Sequence, residues 1–210
     1  MNGKQAYLLI VEDDPDIRAL LDTTLKFKKY RVVTANNGRD ALELVQKEHP
    51  TLVVADIMMP QLDGFGLVHR LRINPETRMI PVVFITATYV APEDRAFALR
   101  IGATRFIQKP VDLNMFLEII EELIKQGPHT VPEPLDEFKF YDGYRERLEA
   151  KLNEKITQVA RDELLLKTHP ESNDQEDIQV SRWHAIRERD ELQALLDEIH
   201  KQLARIGAEK

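Results

Sequence analysis

Three consecutive carboxylates, Glu12, Asp13 and Asp14, follow the apolar run at 7–11, and a fourth, Asp56, closes the apolar run at 52–56. Thr86, with Ala87 behind it, ends the run at 81–86, and Lys109-Pro110 follows the run at 105–108. Singly these features are ordinary. Acids ahead of Pro15 cap a helix, an aspartate before a loop makes a local hydrogen bond, and Lys-Pro is a turn. At the ends of successive strands they describe a shared site. Clustered carboxylates repel one another unless a cation neutralises them, which implies an oxygen-ligand site for Mg²⁺. With the metal on one oxygen, Asp56 keeps the other as a nucleophile toward a phosphoryl group. Lys109, the Thr86 hydroxyl and a backbone N–H near Ala87 suit the remaining phosphoryl oxygens. The product is an aspartyl phosphate, made chiefly by positioning and charge stabilisation.

Such a site needs elements that bring those strand ends together. β-like runs at 7–11, 31–35, 52–56, 81–86 and 105–108 alternate with helical patterns at roughly 15–27, 38–48, 64–72, 92–101 and 113–126. Several runs are apolar without alternation, as in a parallel sheet covered on both faces. Five βα units in this rhythm predict an α/β fold, a doubly wound five-stranded parallel sheet of flavodoxin-like order 2-1-3-4-5. In that order the first, third, fourth and fifth strands are consecutive, and the crevice beyond their carboxyl ends is the functional edge.

"GPHTVPEPLDE", residues 127–137, ends the rhythm: Gly127 can stop the fifth helix and three prolines deny another. The expected organisation is therefore a domain at 1–126, a linker at 127–137 and an α-helical hairpin or coiled coil at 138–210. In the first arm Tyr141, Leu148, Leu152, Ile156 and Val159 recur at helical spacing; in the second, Leu192, Leu196, Ile199, Leu203 and Ile206 form a heptad-like seam. Each arm has roughly thirty residues, about 45 Å. Ser172 with Gln175 is a candidate capping box between them.

The chain has no cysteine, no apolar stretch long enough to cross a bilayer and no signal peptide at its start, so a cytoplasmic protein away from membranes is expected. Net charge is −7, divided as −1 over residues 1–127 and −6 over 128–210. An acidic tail argues against nucleic-acid binding, which draws its affinity from Lys and Arg on phosphates.

"LLIVEDDPDIR", "VVADIMMPQLDGFGL", "FITA" and "RFIQKP" together resemble the receiver domain of two-component response regulators, over about residues 6–126. The resemblance implies that Asp56 is the phosphoacceptor for a sensor histidine kinase or phosphotransfer protein. It implies that Asp13 binds Mg²⁺ directly, that Glu12 assists, often through water, and that the Met58 backbone carbonyl is a further ligand. Thr86 would sense the phosphoryl group and Lys109 pair with it, before a cis Lys109–Pro110 bond. Phe106 takes the switch aromatic position, free to repack as Thr86 and Lys109 are drawn inward. Met58 and Thr88 stand where water access is tuned; an apolar Met58 cannot orient water, so a phosphoryl lifetime of minutes or longer is expected. Phosphatases that use a strand-end aspartate need a second one two residues on; that position is Met58, so the chain reads as no enzyme. Thr104 and Arg105 stand where DNA-binding members of the family carry acids, so their dimer geometry is not carried over.

The tail holds no helix-turn-helix of suitable size, no metal cluster and no phosphate loop. Its histidines, His129, His169, His184 and His200, read as surface residues, since neither "RWHAIRE" nor "DEIHKQL" follows a phosphoacceptor pattern. Two outputs stand: a homodimerising or partner-docking hairpin, which the charge favours, or an atypical helical effector serving a transcriptional or RNA-binding regulator. Trp183, with Ile186 along its face, is expected in the tail's core rather than at an interface.

Overall fold

A computed structural model describes residues 7–127, 131–168 and 174–208. Residues 128–130 of the expected linker, together with His129, His169 and the Ser172 cap, lie outside these ranges.

The elements run β1 (Tyr7–Val11), α1 (Pro15–Phe27), β2 (Arg31–Ala35), α2 (Gly38–Lys47), β3 (Leu52–Ala55), α3 (Gly64–Ile73), β4 (Val82–Thr86), α4 (Pro92–Arg100), β5 (Arg105–Gln108), α5 (Leu113–Gln126), α6 (Glu137–Thr168) and α7 (Gln175–Ala208). The five strands form one parallel sheet in the order β2-β1-β3-β4-β5. Two strands are one residue shorter than the apolar runs suggested. Asp56 lies just past β3, and Pro81, which has no N–H to give a ladder, lies just before β4.

The central strands β1, β3 and β4 are buried on both faces, which is why they do not alternate. Leu8, Ile10, Val54, Val83, Ile85 and Ile107 pack with Leu21 and Leu25 of α1 and with Phe116, Ile120 and Leu123 of α5. On the opposite face Phe84 meets Phe65 of α3 edge-on at 5.6 Å, and Phe65 also meets Phe97 of α4 and Tyr89, each at 5.1 Å. Helix starts are set by side chains that satisfy otherwise unpaired N–H groups: Asp14 for α1, Asn37 for α2, Asp63 for α3 and Asp112 for α5. Gly127, with φ 70°, ends α5.

The chain divides into two compact units, Met1–Leu135 and Asp136–Lys210. In the second, α6 and α7 pack as a hairpin within one chain, with Leu148, Leu152 and Val159 of α6 and Ala185, Leu192, Leu196 and Ile199 of α7 buried. Polar pairs fix its register: the Ser181 hydroxyl donates to the buried Asp162 carboxylate at 2.9 Å, and Arg182 pairs with Glu163 at 2.9 Å. Two expectations fail here. Ile156 is 48% exposed although it falls in the apolar spacing of α6, and Trp183 is 57% exposed, so it is no core anchor. The seam that α7 turns to α6 passes through Ala185, and a residue two positions earlier on a helix points roughly the opposite way. No helix among the described residues is long and apolar enough to cross a membrane.

Candidate functional site

Sheet register sets the height of the site. Val11 pairs with Ala55, and three backbone bonds continue the ladder past the strand ends: Asp56 N–H to Val11 O at 2.9 Å, Glu12 N–H to Ala35 O at 3.1 Å, and Lys109 N–H to Thr86 O at 2.9 Å. Glu12, Asp56 and Lys109 are thus held by sheet geometry before any side-chain contact forms. Their side chains then meet. Lys109 Nζ donates to Asp56 Oδ2 at 2.6 Å and to the two oxygens of Glu12 at 3.1 and 3.0 Å. The other Asp56 oxygen, Oδ1, accepts from the Ile57 N–H. Ligand atoms of Glu12, Asp13 and Asp56 lie within 4.8 Å of one another, with Glu12 and Asp56 buried and Asp13 exposed.

Three carboxylates around one ammonium leave an excess of negative charge in a largely buried place. Burial first, and then the Asp56 charge, push Glu12 up to about 7 against the pull of Lys109. Burial works against the Lys109 charge, but Asp56 and Glu12 outweigh it and hold the ammonium above its ordinary range. A hard divalent cation fits this set: the donors are carboxylate oxygens within 4.8 Å of one another, and their mutual repulsion is what a cation relieves.

Other expected residues stand nearby in different roles. Asp14 belongs to α1, where its Oδ1 accepts from the Asp16 and Ile17 N–H groups. Thr86 is fully buried, and its hydroxyl accepts from the Thr88 N–H at 3.3 Å; Ala87 beside it is exposed. Met58 is half-buried on the loop after Asp56. Phe106 is half-buried on β5, in register with Phe84 of β4, so β4 stands between it and the strand that Asp56 follows. The Lys109–Pro110 peptide is cis.

Two supporting residues were not anticipated. Arg18 reaches back from α1 to the Glu12 and Asp13 carbonyls at 2.7 and 3.2 Å, pinning the acidic loop from behind. Gly64 starts α3 against Asp56: a Cβ there would lie 2.3 Å from the Asp56 carbonyl oxygen, while the Gly64 N–H donates to Ile57 O at 2.8 Å. The signal for Gly64 was present in "LDGFG", but its meaning depends on a backbone approach that no spacing rule shows.

Residues 8–121 match the family model of the response regulator receiver domain. Among curated proteins, an uncharacterized 14.6 kDa protein of Leptolyngbya boryana is 39% identical over 118 residues, 56% of this chain and 89% of that protein. A probable transcriptional regulator, ycf27, of Porphyra purpurea is 40% identical over 110 residues, 52% of this chain and 44% of that protein. This chain therefore spans less than half the length of that regulator. Among solved structures, a signal receiver domain of a signal transduction histidine kinase from Syntrophus aciditrophicus superposes with a TM-score of 0.55 at 30% identity, covering 60% of this chain and 94% of the other.

Proposed function

The chain belongs to the response regulator receiver family, and on that footing we propose that Asp56 accepts a phosphoryl group from a sensor histidine kinase or phosphotransfer protein. The observation that carries this reading is the contact of Lys109 Nζ with Asp56 Oδ2 at 2.6 Å inside a cluster of three carboxylates. An Asp56 oxygen attacks phosphorus, an O–P bond forms, and the P–N bond to the donor imidazole breaks with its electron pair leaving on nitrogen. Lys109, already between Asp56 and Glu12, needs only to shift from carboxylate to phosphoryl oxygen. Thr86 and the Ala87 N–H, at the end of the neighbouring strand, would receive the other oxygens. Mg²⁺, held by Asp13, Asp56 and the Met58 carbonyl with Glu12 behind them, would supply charge neutralisation for the incoming phosphoryl group. Repacking of Phe106 on β5 would carry the change away from the site.

Incubation with a small phosphodonor and Mg²⁺ should add one phosphoryl group by intact mass. Asp56→Asn should add none, and Lys109→Ala should bind the metal but be phosphorylated slowly. Met58 offers water no polar group, so the wild-type phosphoryl group should persist for minutes; its loss within seconds would reject that role. Incorporation undiminished in Asp56→Asn would reject the assignment of the acceptor.

The tail serves as a dimerising or protein-docking device, a reading supported by its net charge of −6 and by apolar residues left exposed on α7. The transcriptional-regulator name of one relative favours a nucleic-acid output instead. Mobility-shift binding to DNA or RNA that weakens steeply with salt would support that second reading. A full chain that dimerises, against a monomeric chain ending at residue 135, would support the first.

A further inference from the structure

The face of α7 turned away from α6 carries a self-complementary pattern. Trp183, Arg187, Asp190 and Ala194 step by four, three and four residues along one stripe, all of them exposed. They lie about half a turn from the buried seam of Ala185, Leu192 and Leu196. Trp183 stands out of this face at 57% exposure, and a shallow trough bordered by Arg187 and Asp190 leads from it to the small side chain of Ala194. Glu176 and Lys201 bound the stripe at its two ends, both exposed.

We propose that this face is a homodimer interface in which α7 of one copy pairs antiparallel with α7 of a second copy, Trp183 of each seated on Ala194 of the other. The inference rests on the reading of the tail as a dimerising device and specifies the surface. Two-fold symmetry requires every cross-pair to share one midpoint along the helix. Trp183 with Ala194, Arg187 with Asp190, and Glu176 with Lys201 all share the midpoint between Glu188 and Arg189. One register therefore matches the large side chain to the small one and sets both charged pairs opposite in sign. A parallel arrangement would stack Trp183 on Trp183 and Arg187 on Arg187, with like charges facing throughout. Arg187 lies 6.0 Å from the centre of the Trp183 ring and pairs with Glu191 at 2.9 Å. The cation is thereby held beside the aromatic anchor, where Asp190 of the second copy would reach it.

Charge reversal on the full chain tests the register. Arg187→Asp alone and Asp190→Arg alone should each be monomeric in sedimentation, because each sets like charges together twice. Mixed in equal amounts they should form a heterodimer, since every reversed site then meets its opposite. Trp183→Ala should weaken self-association by about 30-fold or more, as loss of a central aromatic anchor does, while leaving phosphorylation of Asp56 unchanged. Trp183 is the only tryptophan of the chain, so its emission should also move to the blue with rising wild-type concentration. A full chain that dimerises through its tail, yet keeps its dimer in Trp183→Ala and in both charge variants, would overturn this face and leave the dimerising tail standing. A full chain that is monomeric at tens of micromolar would overturn both.

Discussion

Glu12 is the residue at which burial and charge conflict most sharply. It is 1% exposed, and its carboxyl is pushed from 4.5 up to about 7 by burial and by Asp56. A raised carboxyl binds its proton more tightly in the folded chain than in the unfolded one. Its contribution to stability is therefore complete below about 4.5 and is lost as pH rises through about 7. At about 1.4 kcal/mol per unit, a rise from 4.5 to about 7 makes the loss on the order of 3 kcal/mol for the metal-free protein. Glu12→Gln, which cannot ionise, should lack this loss, so the variant gains on wild type in denaturant midpoint between pH 5 and pH 8. Mg²⁺ should narrow the difference by neutralising the wild-type cluster. Equal pH slopes for the two proteins without metal would mean that Glu12 is ionised throughout. The sequence placed Glu12 at a strand end and assigned it a metal. Its burial depends on the loop that Arg18 pins from behind, and that is a tertiary fact.

Among the elements, the strands were the most legible, because five apolar runs separated by helical patterns admit few sheet orders and the strand ends then converge without further information. The same rules do not see a contact between a side chain and a distant carbonyl. Arg72, near the end of α3, is 1% exposed and donates through Nε and Nη2 to Gly102 O at 3.0 and 2.8 Å, just beyond the end of α4. In the sequence it reads as one more charge in the last turn of α3. In the structure it ties that turn to the carbonyl end of α4, where a cation is favoured. Gly102, at φ 108°, makes room for it: a Cβ there would lie 2.6 Å from Arg72 Nε. Nη1 has no partner among the described residues, and burial lowers the guanidinium to about 10. The tie is therefore strong in geometry and incomplete in hydrogen bonding. Arg72→Ala should cost about 2–4 kcal/mol in urea unfolding, through the cavity and the abandoned carbonyl. Arg72→Met, which keeps the volume and removes a buried charge, should cost roughly half as much. Equal losses in the two variants would show that the hydrogen bonds outweigh the packing. Trp183 escaped the sequence for a related reason. Its helical spacing was clear, but which stripe α7 turns to α6 is decided by how Ala185 and Leu192 pack.

At the scale of the whole molecule, the chain divides into two compact units, and each should have a source of stability that can be varied alone. The unit Met1–Leu135 holds the carboxylate cluster, and the unit Asp136–Lys210 holds the hairpin and the chain's only tryptophan. A ligand that binds only the folded state stabilises by an amount set by its concentration relative to its dissociation constant, about 2.7 kcal/mol at a hundredfold excess. On the proposed reading, Mg²⁺ would act in this way on the first unit, and a second copy of the chain would act in this way on the second. Thermal unfolding followed by Trp183 emission should therefore shift upward as protein concentration rises and respond little to Mg²⁺. Unfolding of the receiver sheet, followed by far-ultraviolet dichroism after subtraction of the tail transition, should do the reverse. In Trp183→Ala, followed by dichroism alone, the dependence on concentration should disappear while the response to Mg²⁺ survives. Coincident transitions that move together with both variables would instead mean that the two units unfold as one cooperative body. In that case the state of Asp56 would reach the hairpin through folding energy itself, without a separate switching step.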